Sequence, residues 1–419
     1  MAQTFSYGTT FPGTGGQIKR RYTDFIVEEI QTNGTICEVQ RFIHENQPKT
    51  EIQIPENKEN LDYLNFDLEK INIDAVTAMK VLSRTLQVSI KRIGYAGLKD
   101  KRGITCQRIN VWKPNAELLK KKNLWGMDVR NFEWSSQRIE LGMLQGNQFT
   151  ITVRNIELDE NELKKRLEIC IPELSKGIPN YFGGQRFGGN RSVTHIVGKY
   201  LVLGKVKEAV LAYLTVIGEK EDIEMQQARK NLGETLDYAK ALKEFSPKAS
   251  FELALLNHLV KNPNDFSGAL QKLPKKIRYL LTHAYQSHIF NQIIQERIHQ
   301  GLGIKAIPGE PVNEQGIALV LLPGYDSQFT EGKIGEIEKQ ILEKEQVQFE
   351  DFRLKVLPEC SCKGTRKEIA LIPENFKILK IQPDEFNAGK LACVLQFSLS
   401  KGNYATTVLQ EITKSNEME

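Results

Sequence analysis

Apolar and polar side chains alternate most cleanly over 146–153. Phe149, Ile151 and Val153 fall on one side and Gln148, Thr150 and Thr152 on the other, the period of a half-buried strand. Shorter runs predict strands over 24–30 and 108–112, with 37–43 as the partner of the first. Over 74–86 the period changes: Val76, Met79, Leu82 and Leu86 recur at helical steps. A second helix is predicted over 161–171. After Gly189 helical spacing dominates, over 194–200, 206–215, 225–232 and 236–243. The longest helix is predicted over 275–300, where Ile277, Leu280, Leu281 and Ala284 form a stripe continued by Ile289, Phe290, Ile293 and Ile294. Gly301 then stops it. Strands are predicted over 317–322, 352–356 and 368–372, and a strand pair over 391–399 and 405–412. The stretches 5–16 and 50–65 read as irregular or loop.

This order predicts an α+β protein, with a sheet core built from both ends of the chain and a helical block between. The early strands lack the rhythm of a dinucleotide fold, and Gly13-Thr14-Gly15-Gly16 fits neither that fingerprint nor a P-loop. No nucleotide cofactor is expected. A chain of 419 residues predicts roughly two or three domains. No apolar run approaches the ~18 residues of a membrane helix, and 1–12 lacks a signal pattern. The six cysteines have no zinc spacing, so they are expected to be reduced thiols in a cytoplasmic, metal-free protein. The ordinary composition favours a monomer.

The net charge of +5 is mild, so its distribution matters more. Arg186, Arg191, Lys199, Lys205 and Lys207 lie in a stretch without any acid, which predicts a phosphate-contacting wall. Lys91, Arg92, Lys99, Lys101 and Arg102 surround a single acid, Asp100. Gly97 and Gly103 flank that acid, as in a loop that passes close to a ligand. Such a loop can hold an anionic polymer and still offer a carboxylate as nucleophile or base. Taken alone, a charge run is more often a solvated face.

A second segment, Asn180-Tyr181-Phe182-Gly183-Gly184-Gln185-Arg186-Phe187-Gly188-Gly189, sharpens the reading. Together the two resemble the TruD family of tRNA pseudouridine synthases, in its archaeal-like branch. Further matching segments are 13–19 with 24–29, Leu144-Gln145-Gly146-Asn147-Gln148-Phe149, 285–291, and Tyr404-Ala405-Thr406-Thr407. The resemblance implies the pseudouridine synthase fold, with a mostly antiparallel sheet core over 1–179 and 368–419. It also implies an inserted, largely helical α+β TRUD domain over 180–367.

The implied activity is isomerisation of uridine to pseudouridine in tRNA, at position 13 first, with position 35 and other RNAs left open. The target base is flipped out of its stack. By resemblance Asp100 is the catalytic carboxylate, attacking C1′ or removing a ribose proton, and Lys19 pairs with it. Phe25 and Phe149 would contact the flipped base, Asn147 its polar edge, and Tyr404 would reach the site. Lys99, Lys101, Arg102, Arg186, Arg191 and Lys199 would contact RNA.

Read without the family, Lys19 is a surface lysine, and Phe25 and Phe149 are core strand residues. Three positions depart from the family pattern. Tyr404 stands in place of a frequent phenylalanine, His288 in place of a residue that is often aromatic, and Gly103 in place of an alanine, which would free the loop. The histidines at 44, 195, 258, 283 and 299 are expected to form no cluster. Two other classes stay open: a non-catalytic RNA-binding protein or tRNA chaperone on the same scaffold, and a glycosylase. The last would release free uracil rather than retain pseudouridine.

Overall fold

The structure, a computed structural model, describes residues 7–43, 51–54, 56, 61–121, 124–218 and 221–415. His44 lies outside the described residues. The described chain forms two compact units, one from 9–178 with 372–415 and one from 179–371 with Tyr7 and Gly8.

The first unit is an eight-stranded sheet with helices. In chain order it contains β1 (Phe25–Ile30), β2 (Tyr63–Ile71), α1 (Ala75–Thr85), β3 (Ile93–Tyr95), β4 (Ile104–Trp112), α2 (Glu117–Lys121), β5 (Met127–Ser135), β6 (Gly146–Ile156) and α3 (Glu160–Ser175). The second unit follows β7 (Ile178–Pro179). It holds α4 (Thr194–Val202), α5 (Val206–Thr215), α6 (Ile223–Thr235), α7 (Tyr238–Glu244), α8 (Ser250–Lys261), α9 (Phe266–Gln271), α10 (Lys275–His299), β8 (Leu319–Leu322), α11 (Gly332–Glu345) and β9 (Thr365–Glu368). After β10 (Ala370–Leu371) the chain completes the first unit with β11 (Glu374–Pro383), β12 (Leu391–Ser400) and α12 (Ala405–Thr413).

The sheet runs β11-β12-β6-β1-β4-β2-β5, with β3 beside β4. Every pair is antiparallel except β1 with β4 at its centre. Strands from both chain ends meet where β12 pairs with β6. Among the described residues no helix is long and apolar enough to cross a membrane.

Four local expectations are corrected. Residues 37–43 are not a strand. The backbone N–H of Val39 goes to the Glu28 carboxylate, and those of Gln40, Arg41 and Phe42 go to that of Glu69. Two buried acids thus take the donors that a ladder would have used. Residues 405–412 are helical, because Ala405, Val408, Leu409 and Ile412 bury one face at helical spacing. Over 352–356 there is no strand, only a short 3-10 turn ending at Phe352. The polar stretch 50–65 ends inside β2, which starts at Tyr63.

One buried ion network fixes the entry to β1. Arg154 of β6 pairs with Asp24 at 2.8 Å, Asp384 at 3.2 Å and Glu385 at 3.1 Å. Gly16 lies against the same strand: a Cβ there would stand 2.7 Å from Val153 Cγ1, and its φ is +100°. Only glycine lets the opening segment approach β6 so closely. Replacing Arg154 by methionine should cost about 3–5 kcal/mol of unfolding free energy, because Asp24 and Asp384 stay buried without their cation. Urea denaturation of the variant against wild type measures it.

Candidate active site

Strand register gathers the site. Val27 of β1 lies opposite Phe149 of β6 and Thr105 of β4. Phe149 lies opposite Phe397 of β12, and Thr105 opposite Lys70 of β2. Because side chains alternate along each strand, one face of the sheet carries Phe25, Val27 and Glu29, with Asn147, Phe149 and Ile151 on one side and Thr105, Gln107 and Lys70 on the other. The rings confirm the shared face: Phe25 meets Phe149 edge-on at 6.3 Å, and Phe149 stacks on Phe397 at 5.7 Å.

The loop between β3 and β4 crosses this face and is bonded to it. Gln107 Nε2 donates to the Gly97 carbonyl at 3.1 Å, and Lys99 Nζ to the Glu29 carboxylate at 2.5 Å. Lys70 Nζ donates to the Asp100 carbonyl at 2.6 Å. The loop's ends are held by Gly142 N–H to the Ala96 carbonyl and Asn72 N–H to the Gly103 carbonyl. Asp100 itself is exposed. The loop is therefore pinned from below while its carboxylate faces out. Gly103 does not free it: a Cβ there would stand 2.4 Å from the Phe25 carbonyl oxygen, so this chain has no room for alanine.

The other expected residues of this unit take definite places. Lys19 is buried, in the left-handed region at φ 58°, with its ammonium 4.5 Å from the centre of the Phe25 ring. Phe25 and Phe149 are core rings. Tyr404 is 46% exposed and caps α12 four residues beyond the end of β12, where Ser400 lies opposite Gly146. Asn147 Oδ1, Thr105 Oγ1 and Gln107 Oε1 are buried and accept no hydrogen bond among the described residues. Unsatisfied buried acceptors are costly, and these three share one sheet face.

The expected RNA contacts divide. Lys101 and Arg102 are exposed beside Asp100. Lys99 is a correction, because its charge is buried against Glu29. Burial pushes the Glu29 carboxyl up, and the Lys99 ammonium pulls it back. Arg191 is likewise internal to the second unit: its guanidinium bonds Glu252 at 2.9 Å and the carbonyls of Tyr213 and Val216. In that unit Lys199 pairs with Glu345 at 2.8 Å, and Arg186 Nε donates to Ser287 Oγ at 3.0 Å. Arg191 and Lys199 of the acid-free stretch thus meet acids at a distance in sequence, while Lys205 and Lys207 are exposed. His195 stacks on His288 at 4.6 Å. Burial, then His288, pulls the His195 imidazole down to about 4.

Lys70, Glu29, Thr105 and Gln107 escaped the sequence reading. The signal for Lys70 was present: it continues the Leu64, Phe66, Leu68 side of an alternating strand, where a charge is out of place.

The sequence model of the family described as tRNA pseudouridine synthase D (TruD) matches residues 2–320 and 312–412. A relative from Methanosarcina barkeri, named "Probable tRNA pseudouridine synthase D", is 36% identical over 99% of this chain and 96% of its own. A relative of the same name from Methanococcoides burtonii is 36% identical over 97% of this chain and 95% of its own. The crystal structure of a Methanosarcina mazei protein described as "Putative tRNA pseudouridine synthase D (TruD)" superposes with a TM-score of 0.80 at 36% identity, covering 98% of this chain and 96% of that one.

The Lys99–Glu29 pair, with side chains 3% and 1% exposed, gives a direct test. Lys99→Met should lower the unfolding free energy by about 3–5 kcal/mol, and adding Glu29→Gln should recover part of that. Urea melts of the two variants decide it.

Proposed function

The chain belongs to the tRNA pseudouridine synthase D (TruD) family, and we propose from that premise that it isomerises a uridine of tRNA to pseudouridine, with position 13 as first substrate and Asp100 as the reacting carboxylate. The observation that carries this reading is the pinned loop. It offers an exposed carboxylate above a sheet face with aromatic rings and partnerless acceptors.

The chemistry is an isomerisation. The bond from N1 to C1′ breaks, the base turns, and C5 bonds to C1′. A proton leaves C5, and one ends on N1. Asp100 serves either by attacking C1′ or by taking a ribose proton, and both routes need it fixed against the sugar. The target uridine must leave its stack to reach it. Asn147 Oδ1 then accepts from a uracil N–H, which satisfies an acceptor that otherwise lacks a donor. Tyr404 supplies an accessible ring for the base. Phe25 and Phe149 support that pocket from within the core rather than presenting open faces. Lys19 stands on the Phe25 ring, 4.5 Å from its centre, and the pairing with Asp100 that the family resemblance implies is part of this proposal. Lys101 and Arg102 meet phosphate on either side of the target.

Wild type is expected to form pseudouridine in unmodified tRNA transcripts, and Asp100→Asn to lose activity by roughly 10³-fold or more while still binding RNA. A position-resolved pseudouridine assay reads both, and equal activity of the two proteins would sink the role of Asp100. Charge reversal at Lys101 or Arg102 should raise the RNA dissociation constant. Each should also reduce the salt slope by about 1, measured by titration across salt concentrations.

A further inference from the structure

Lys70 is a buried charge that the reaction as described leaves without a task. It lies opposite Thr105 of β4 and Met127 of β5, and the residue is 1% exposed. An ammonium taken out of water is costly unless negative groups surround it. Burial pulls Lys70 down to about 8, while Asp100 and then Asp74 hold its proton on and Lys99 opposes them. The groups facing it from β4 and β5 carry no charge. The loop and the N-cap of α1, where Asp74 sits, therefore decide its state.

We propose that Lys70 is a positioning residue for Asp100, gripping the loop by the carbonyl of residue 100 and setting a positive charge close to the carboxylate. The inference rests on the reading of Asp100 above. The other loop bonds hold Ala96, Gly97, Lys99 and Gly103. Lys70 holds residue 100 itself. A carboxylate that must meet a sugar carbon is sensitive to sub-ångström placement, and a charged donor in a dry site fixes a carbonyl more firmly than a neutral one.

Lys70→Met removes the donor and the charge at similar volume. Its kcat should fall on the order of 10²-fold, with little change in KM, because no RNA contact is lost. Hydrogen exchange of the 96–103 segment should accelerate while the other strands keep their protection. Wild-type kcat should fall as pH rises through about 8, where Lys70 loses its proton, and the methionine variant should lack that limb.

Asp74→Asn is the second variant. Asparagine caps a helix as well as aspartate does, so α1 stays, but one charge that supports the ammonium is gone. The alkaline limb should move to lower pH. Unchanged kcat in Lys70→Met, unchanged exchange over 96–103, or a limb that ignores Asp74→Asn would each overturn the proposal. Should Lys70→Met fail to fold, Asp74→Asn still decides. If wild type makes no pseudouridine, the functional reading falls, yet the exchange measurement still says whether Lys70 holds the loop.

Discussion

The register of β1 is the constraint on which the rest of the first unit depends. This six-residue strand pairs in parallel with β4 and antiparallel with β6, at the centre of the sheet. Side chains alternate with a period of two, so a slip of one residue would send Phe25, Val27 and Glu29 to the opposite face. Glu29 would then lose Lys99, and the loop bearing Asp100 would lose an anchor. The Arg154 network sets that register by holding Asp24, the residue just before the strand. The placement of the loop is thus tied to the Lys99–Glu29 and Arg154–Asp24 ion pairs and to the pairing of β1 with β6.

Charge has a structural use on both faces of this sheet. On one, Lys99 and Lys70 sit under the loop. On the other, Glu28 and Glu69 collect the N–H groups of residues 39–42, and Arg130 pairs with Glu69 at 2.7 Å. Buried ions contribute little net stability next to apolar side chains of equal volume. What they provide here is geometry. Each fixes a segment without ladder hydrogen bonds at a defined place on a rigid sheet. Under the proposed reaction, a loop held by such bonds keeps the Asp100 carboxylate in place before the substrate arrives, which lowers the entropy cost of the reactive arrangement.

The second unit shows the same habit in helices. Arg191 and Arg229 share Glu221 and Glu252 across three helices and a connecting turn. Glu345 of α11 receives Lys199, Gln292 and the Tyr285 hydroxyl, beside the stacked imidazoles of His195 and His288. A basic stretch in the sequence is therefore not by itself a basic surface. Arg191 and Lys199 meet Glu252 and Glu345, acids far along the chain, inside the unit, so their charge is neutralised there.

Periodicity and motif carried much of this protein. The strict alternation at 146–153 and the apolar stripe of the long helix each produced the element expected. The segments around Asp100, Asn147 and Asn180 were enough to name the family, because local spacing and residue chemistry survive in a linear reading. The helix over Ala405–Thr413 was misread from its apolar content, since a short apolar run does not by itself separate strand from helix. The strand expected over 37–43 failed for a different reason: its backbone donors go to Glu28 and Glu69, and no local pattern announces that. Tertiary structure alone decided which cations face solvent, which residues share the face beneath Asp100, and that Lys70 holds the carbonyl of residue 100. These are properties of strand register and burial. They are set by contacts between segments far apart in the chain, and the free energy of a charge depends on those surroundings rather than on its neighbours in sequence.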